Sequence, residues 1–389
     1  MTAIALVFLG TFRLFGDPVV SMPGPVVASA PEISFTVLCY HRFLIHPDEK
    51  SDSIQSEYQL PIEDFKWQMQ YLKNNGFTPI SMNQLMDYWF QGKPLPLKPV
   101  LISFDDGFRT IYRDAFKTLK EFQYPSVLFL YTKFIEYREA ALKRSQKMKT
   151  KKRVVKKEVE ALSISDIQEM QKEGMDVQSH TANHLQLGLE QEKRPLEDFK
   201  QLVEDEFGEP VTYIESKFGQ KPTALAYPYG VYDPLILKKA KDAGYVLAFT
   251  VNPGPNDRTV PPLKLRRNLI LYPISHTSFE KIFADKVLHL ERAYPGDGQV
   301  IGEDKPLILI TIKDEVEPDS IDLHLGNRKL TVKYDPVTHE VQHHLAAPLK
   351  AGGHMLTLAA KDKAGERRVY TWYFRIKHKN LEKKETGGE

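Results

Sequence analysis

Val100-Leu-Ile-Ser-Phe-Asp105-Asp106-Gly107 is an apolar run that stops at two adjacent carboxylates and a glycine. The run predicts a buried strand, and the glycine predicts the turn that leaves it. Both aspartates therefore stand at the strand's carboxyl end, where barrel enzymes place their chemistry. Neighbouring side chains on extended backbone leave in opposite directions, so the two carboxylates are free to take different roles. Asp-Asp-Gly is also an ordinary turn, and a functional reading needs support from elsewhere in the chain.

Outward from this strand, short β-branched runs alternate with amphipathic segments. The apolar runs predict strands over residues 33–40, 100–104, 126–131, 175–179, 224–227 and 246–251. Between them, Ile62, Phe65, Met69 and Leu72 recur at helical spacing, as do Ile111, Ala115, Leu119 and Phe122. Gly76 and Gly174 stand where helices would end. Strands and helices taking turns predict an α/β domain with a barrel-like parallel sheet inside its helices. After residues 294–306 the helical pattern vanishes. Alternating runs over 307–312, 321–325, 330–334, 339–345, 355–362 and 368–376, with turn signals at Gly326-Asn327 and Lys363-Ala-Gly365, predict a small all-β sandwich.

A chain of 389 residues, 42% apolar and 27% charged, has material for two domains of this kind. Its 53 basic against 51 acidic residues exclude the broad positive field of a nucleic-acid binder, and a neutral substrate fits better. Cys39 is the only cysteine, which rules out an intrachain disulfide and a cysteine-rich zinc site. Its apolar surroundings predict a packing role in a buried strand. Residues 1–30 form an apolar, then proline-rich, leader ending in Ala28-Ser29-Ala30, the pattern of a signal peptide or an N-terminal anchor and hence of a secreted or cell-envelope protein. Residues 138–157 hold ten lysines and arginines in twenty positions. They predict a solvated basic insertion, with peripheral contact to an anionic envelope or membrane surface as the sharper alternative. The resulting division is a leader over 1–30, a barrel over 32–298 interrupted by that insertion, a β-sandwich over 304–378 and a polar tail over 379–389. Oligomeric state is not legible.

His180-Thr-Ala-Asn-His184 follows the strand predicted over 175–179 and offers two imidazoles four residues apart, which one helical turn would bring to the same side. Two histidines and one aspartate make a three-ligand site with positions left for water and substrate, the arrangement of a hydrolytic metal. Zinc suits these ligands first, and iron, cobalt and nickel share the donor set. Isolated histidine pairs are more often structural, and His343-His344 belongs to that class because adjacent strand residues face opposite ways. A third element, Tyr227-Pro228-Tyr229-Gly230, ends another strand in a tight turn. Such a turn either packs aromatic rings or presents a backbone N–H to an oxyanion. His41 closes the first strand and is unremarkable alone.

Together these motifs, in this order and at these strand ends, resemble the NodB-type polysaccharide deacetylases of carbohydrate esterase family four. The resemblance covers roughly residues 33–293 and implies a distorted (β/α) barrel and a metal-dependent hydrolase that removes N-acetyl groups from an N-acetylglucosamine-containing polysaccharide. It implies Asp105 as the catalytic base, Asp106, His180 and His184 as metal ligands, and Tyr229 as the oxyanion N–H donor. Most members carry an arginine two places before the proline of the third motif, where this chain has Ala226. In the poly-N-acetylglucosamine deacetylase subgroup a downstream arginine takes that part. Here Arg266 or Arg267 would do so, and Arg267 is preferred. The same subgroup draws its general acid from a Tyr-His pair near the first strand, matched by Tyr40-His41, with His276 as the fallback. The C-terminal strands resemble a bacterial immunoglobulin-like module. Two other functional classes remain: a catalytically inactive glycan-binding or scaffold protein of the cell envelope, and a two-histidine, one-carboxylate iron oxygenase, which would not need Asp105.

Overall fold

A computed structural model describes residues 33–44, 56–147 and 160–377. The leader over 1–30, residues 148–157 of the basic run and the 379–389 tail lie outside the described residues. In chain order the first strands are β1 (Thr36–Tyr40), β2 (Arg42–Leu44), β3 (Gln59–Pro61), β4 (Thr78–Pro79), β5 (Pro99–Asp106), β6 (Ser126–Leu130), β7 (Met175–Ser179), β8 (Ala224–Ala226), β9 (Leu247–Phe249) and β10 (Asn268–Leu269). Eight of them form one parallel sheet in the order β10-β1-β5-β6-β7-β8-β9, with β4 beside the start of β5. Strands β2 and β3 pair separately as a short ribbon. The sheet curls: Leu265 bridges Phe249 of β9, while Asn268 and Leu269 pair with Leu38 and Cys39 of β1. Residues 265–269 thus meet both edges and close the barrel.

Alternation along the strands divides their side chains between two cores. Val37, Leu101, Phe129, Ala226 and Phe249 join one cluster, with the helix Met82–Gln91 packed on it through Met82, Leu85 and Tyr88. Leu38, Tyr40, Ile102, Phe104 and Leu128 join the other, against Phe65, Met69 and Leu72 of the helix Ile62–Asn74. Asp105 shares its parity with Leu101, so it enters the barrel interior and not the helical layer. All six strands expected in this region are present; β4 and β10 are too short to show a period. Gly76 (φ 69°) and Gly174 (φ 93°) follow their helices in the left-handed region, as helix-ending glycines do. The segment carrying Ile111 starts as a π-turn, Ile111–Ala115, before the helix Phe116–Phe122.

The first part of the basic run is helical, and the rest of it lies outside the described residues. That part continues the helix Thr132–Lys147, and Arg138 is held there by the Ala161 carbonyl (2.9 Å) and Asp166. The C-terminal region forms two sheets over a shared core that includes Ile308, Ile310, Leu323, Leu356, Trp372 and Phe374. The Gly326-Asn327 turn joins antiparallel strands as expected. The stretch expected as one strand over 330–334 instead divides between Arg328–Leu330 in one sheet and Lys333–Asp335 in the other. Lys286–Val287 and Leu290–Tyr294 also pair with C-terminal strands, so this region begins its pairing before residue 304.

His289 lies where the two regions meet. Its Nε2 is 3.1 Å from Asp257 and its Nδ1 is 2.9 Å from Asp314, with Arg368 3.9 Å from the Asp314 carboxylate. Hydrogen bonds to the two carboxylates, partly opposed by burial, raise its pKa to about 9. A raised folded-state value stabilises fully below the ordinary histidine value and is lost as pH climbs through about 9. The difference in thermal stability between the native chain and a His289→Gln variant is therefore expected to be largest near pH 6, at roughly 1 kcal/mol after solvent screening, and to vanish towards pH 10. A pH-independent difference in calorimetry would contradict this.

Candidate active site

The barrel opens at the strands' carboxyl ends into a cleft of about 610 Å³ lined by His41, Tyr58, Asp105, Asp106, Tyr131, His180, His184, Tyr229 and Arg267, among others. Asp105 is 2% exposed and Arg267 is fully buried. Arg267 Nη1 donates to Asp105 Oδ1 at 2.6 Å, and its Nε donates to the Thr250 carbonyl at 2.9 Å. Burial alone would push the Asp105 carboxyl up, but the Arg267 guanidinium, with His180 and His41, overrides it and holds the group well below the usual carboxylate range. Asp105 is thus a fixed anion. Its second oxygen, Oδ2, accepts from the Cys39 thiol at 3.4 Å and lies 3.7 Å from His180 Nε2. Cys39 is buried as expected, but it also touches the carboxylate, and burial pushes its thiol up so that it stays a donor.

Asp106 belongs to a different group. Its Oδ1 is 3.5 Å from His180 Nε2 and 3.3 Å from His184 Nε2, and is buried with no hydrogen-bond donor among the described residues. His180 Nδ1 is 2.8 Å from the Ala226 carbonyl, which makes Nδ1 the protonated nitrogen and leaves the Nε2 lone pair facing Asp106. Burial pushes His180 down to about 3 and lowers His184, so both rings are neutral. Burial, with Asp105 adding repulsion, pushes Asp106 up to about 6. An orphaned carboxylate oxygen facing two neutral imidazole lone pairs is a donor set short of one cation. These three residues can hold a divalent metal, and their ligand atoms all lie within 4.8 Å of one another.

The histidine pair is not brought together by a helical turn, as its spacing suggested. Residues 180–184 form an irregular loop in which Thr181 (φ 66°) and His184 (φ 56°) are left-handed. The loop is anchored from the helix Leu196–Phe218. Pro210 has no N–H to give, which frees the carbonyl of Glu206 four residues earlier, and that carbonyl accepts the Ala182 N–H at 3.0 Å. The Glu206 carboxylate takes the Asn183 N–H (2.9 Å) and side-chain amide (2.6 Å). Sequence reasoning missed Glu206, Thr250 and the polar contact of Cys39; a proline inside a helical pattern was the available signal for the first. Asp106 (φ 72°) and Tyr229 (φ 58°) are left-handed too, so four of the seven non-glycine residues with positive φ among the described residues cluster here.

His41 borders the cleft, its ring edge-on to Tyr58 at 4.8 Å, with Nδ1 buried and unpartnered among the described residues. Burial lowers its pKa against the pull of Asp106 and Asp105. Tyr229 sits at the rim, half exposed, its ring 4.9 Å from that of His184. Of the two arginines, Arg267 reaches Asp105, whereas Arg266 points away to the Pro255 carbonyl. His276 is not among the cleft residues; it stacks on Trp67 at 3.6 Å. His343 faces the Thr331 carbonyl in the β region.

Residues 92–248 match the family model described as polysaccharide deacetylase. Over this stretch the chain is similar to the polysaccharide deacetylases. Asp105, Asp106, His180, His184 and Tyr229 fall inside the match, while His41 and Arg267 fall outside it. The chain is 26% identical over 246 residues to YxkH of Bacillus subtilis, named as a candidate polysaccharide deacetylase, covering 62% of this chain and 74% of that one. It is 25% identical over 229 residues to the poly-beta-1,6-N-acetyl-D-glucosamine N-deacetylase of Staphylococcus epidermidis, covering 59% and 72% respectively. Among solved structures, IcaB from Ammonifex degensii superposes with a TM-score of 0.50 at 25% identity over 64% of this chain and 96% of that one.

Two outcomes follow for this site. Arg267→Met strands Asp105 as a buried unpaired charge, so urea denaturation is expected to show a loss of about 3–5 kcal/mol. Adding Asp105→Asn should recover part of it, and strict additivity of the two changes would contradict the pairing. Glu206→Ala releases the histidine loop and is expected to weaken zinc binding roughly 10–100-fold in chelator competition; unchanged affinity in the folded variant would remove Glu206 from this role.

Proposed function

We propose that this protein is a metal-dependent N-deacetylase of an N-acetylglucosamine polymer, acting at the cell envelope or outside the cell. The reading is carried by one observation: a carboxylate, Asp105, fixed by a buried arginine beside a separate Asp106-His180-His184 trio. A divalent cation held by that trio, zinc in our reading, would supply Lewis acidity to the acetamido carbonyl and to a water. The remaining work belongs to the chain's own groups. Asp105, ionised over the whole physiological range, accepts the proton of the attacking water at Oδ2, since Oδ1 is occupied by Arg267. The water oxygen bonds to the acetamido carbon as the carbonyl electron pair moves onto oxygen, and the Tyr229 N–H, presented by its left-handed turn, donates to that oxygen. His41 then gives a proton to the amide nitrogen, because an amine anion is too poor a leaving group. The C–N bond breaks, leaving a free amine on the sugar and acetate. Burial lowers the His41 pKa, which makes its protonated form a stronger acid, and the attraction of the two aspartates offsets that lowering only in part.

Aromatic side chains at the cleft, Tyr58, Tyr131, Phe134 and Tyr229, offer flat apolar faces of the kind sugar rings pack on, which supports a glycan substrate. Named relatives that act on poly-beta-1,6-N-acetyl-D-glucosamine support that polymer over other N-acetylated glycans. The C-terminal strands are read as an immunoglobulin-like module.

Zinc-loaded protein incubated with β-1,6-linked N-acetylglucosamine oligomers is expected to release acetate, and Asp105→Asn to lower that rate about 10²–10⁴-fold while keeping stoichiometric zinc. Normal turnover in the variant would remove Asp105 as the base. No acetate from the loaded native chain on any N-acetylated oligomer would favour an inactive glycan-binding or scaffold role.

A further inference from the structure

Residues 265–269, preceded by Lys264, close the barrel and carry two adjacent arginines that leave on opposite faces. Arg267 turns inward to Asp105. Arg266, 2% exposed, turns outward, where its guanidinium lies 4.1 Å from the centre of the Tyr370 ring. Tyr370 belongs to the C-terminal β region, in the strand Arg367–Ile376. The same segment is held at a second point. Lys264 Nζ donates to the Asp297 carbonyl (2.9 Å) and lies 3.3 Å from its carboxylate. The Asp297 carboxylate takes the Tyr232 hydroxyl, which accepts from Asn252 Nδ2 (2.9 Å), and the Asn252 carbonyl accepts the Arg267 N–H (3.1 Å). The approach is close: a Cβ on Gly298 (φ 77°) would stand 2.9 Å from the Tyr232 ring. One peptide separates the outer cation from the inner one.

We propose that the C-terminal β region is a working part of the active site, with Tyr370, stacked on Arg266, a positioning residue that sets Arg267 against Asp105. This rests on the reading of Asp105 as the base. A free-standing spacer or docking module would leave the barrel's closing segment to hold itself. Here the segment's outer side chain has an aromatic lid from the other region, and a buried base loses rate steeply when its partner shifts by a fraction of a bond length. The cleft aromatics that would bind sugar come from other segments, so releasing Arg266 changes turnover and not substrate binding.

The test uses the full chain loaded with zinc and compares Tyr370→Leu with Tyr370→Phe. For acetate release from N-acetylglucosamine oligomers, Tyr370→Leu is expected to lower kcat at least about tenfold with KM within about twofold, and Tyr370→Phe, which keeps the ring, to restore kcat. In ¹⁵N spectra, the buried Arg267 Nε–H, assigned through its loss in Arg267→Lys, should exchange slowly in the native chain and in Tyr370→Phe and broaden in Tyr370→Leu. A folded Tyr370→Leu with native kcat and an unchanged Arg267 resonance overturns the proposal. Should Tyr370→Leu not fold, Arg266→Lys, which keeps the charge and loses the plane, serves the same comparison with the same two outcomes. If the native chain releases no acetate, the deacetylase reading fails, and the Arg267 resonance still decides whether Tyr370 positions it.

Discussion

The ion pair between Arg267 and Asp105 is the constraint on which the rest of the site depends. A carboxylate buried to 2% exposure cannot stay ionised without a partner, and its neighbour Asp106 shows the result: pushed up to about 6 for want of one. Two adjacent aspartates in one dry pocket would otherwise share a proton. Arg267 separates them by giving one a permanent counter-ion, and the three-residue trio separates them further by giving the other a place for a metal. The division of labour proposed for the carboxylates follows from Arg267 pairing with Asp105 and leaving Asp106 Oδ1 without a donor among the described residues.

Holding this arrangement strains the backbone. Asp106, Thr181, His184 and Tyr229 all adopt left-handed conformations that cost on the order of 1–3 kcal/mol each for non-glycine residues. The compensation is visible around them: the parallel sheet under Asp105, the Glu206 clamp on the histidine loop, and the Gly230 turn pressed against Val251 after Tyr229. Rigid elements surround a strained rim, which is how a site keeps a geometry its own residues do not prefer.

The parallel sheet was legible because its long strands are apolar on both faces, and Asp105, Asp106, His180, His184 and Tyr229 were legible because each sits at a strand end in a short motif. Arg267 was preferred over its neighbour Arg266 from resemblance alone, since sequence does not tell which face of a closing segment points inward. The histidine loop shows the opposite limit. Its spacing suggested a helical turn, yet the rings converge through two left-handed residues and the Glu206 carbonyl freed by Pro210, a contact 24 residues away in sequence from Ala182. The two-residue strands β4 and β10 carry no period to read, and β10 closes the barrel. The grip of Tyr370 on Arg266 joins residues from separate regions, and no local pattern announces it.

The central claim is that one divalent cation occupies the Asp106-His180-His184 trio while Asp105 stays outside its coordination, paired with Arg267. Crystals grown with cobalt and measured on both sides of the cobalt absorption edge test it most directly. The account predicts a single strong anomalous peak about 2.0–2.2 Å from Asp106 oxygen and both histidine Nε2 atoms, with Arg267 still bonded to Asp105. A peak ligated by Asp105, or none at the trio in fully loaded protein, would contradict it.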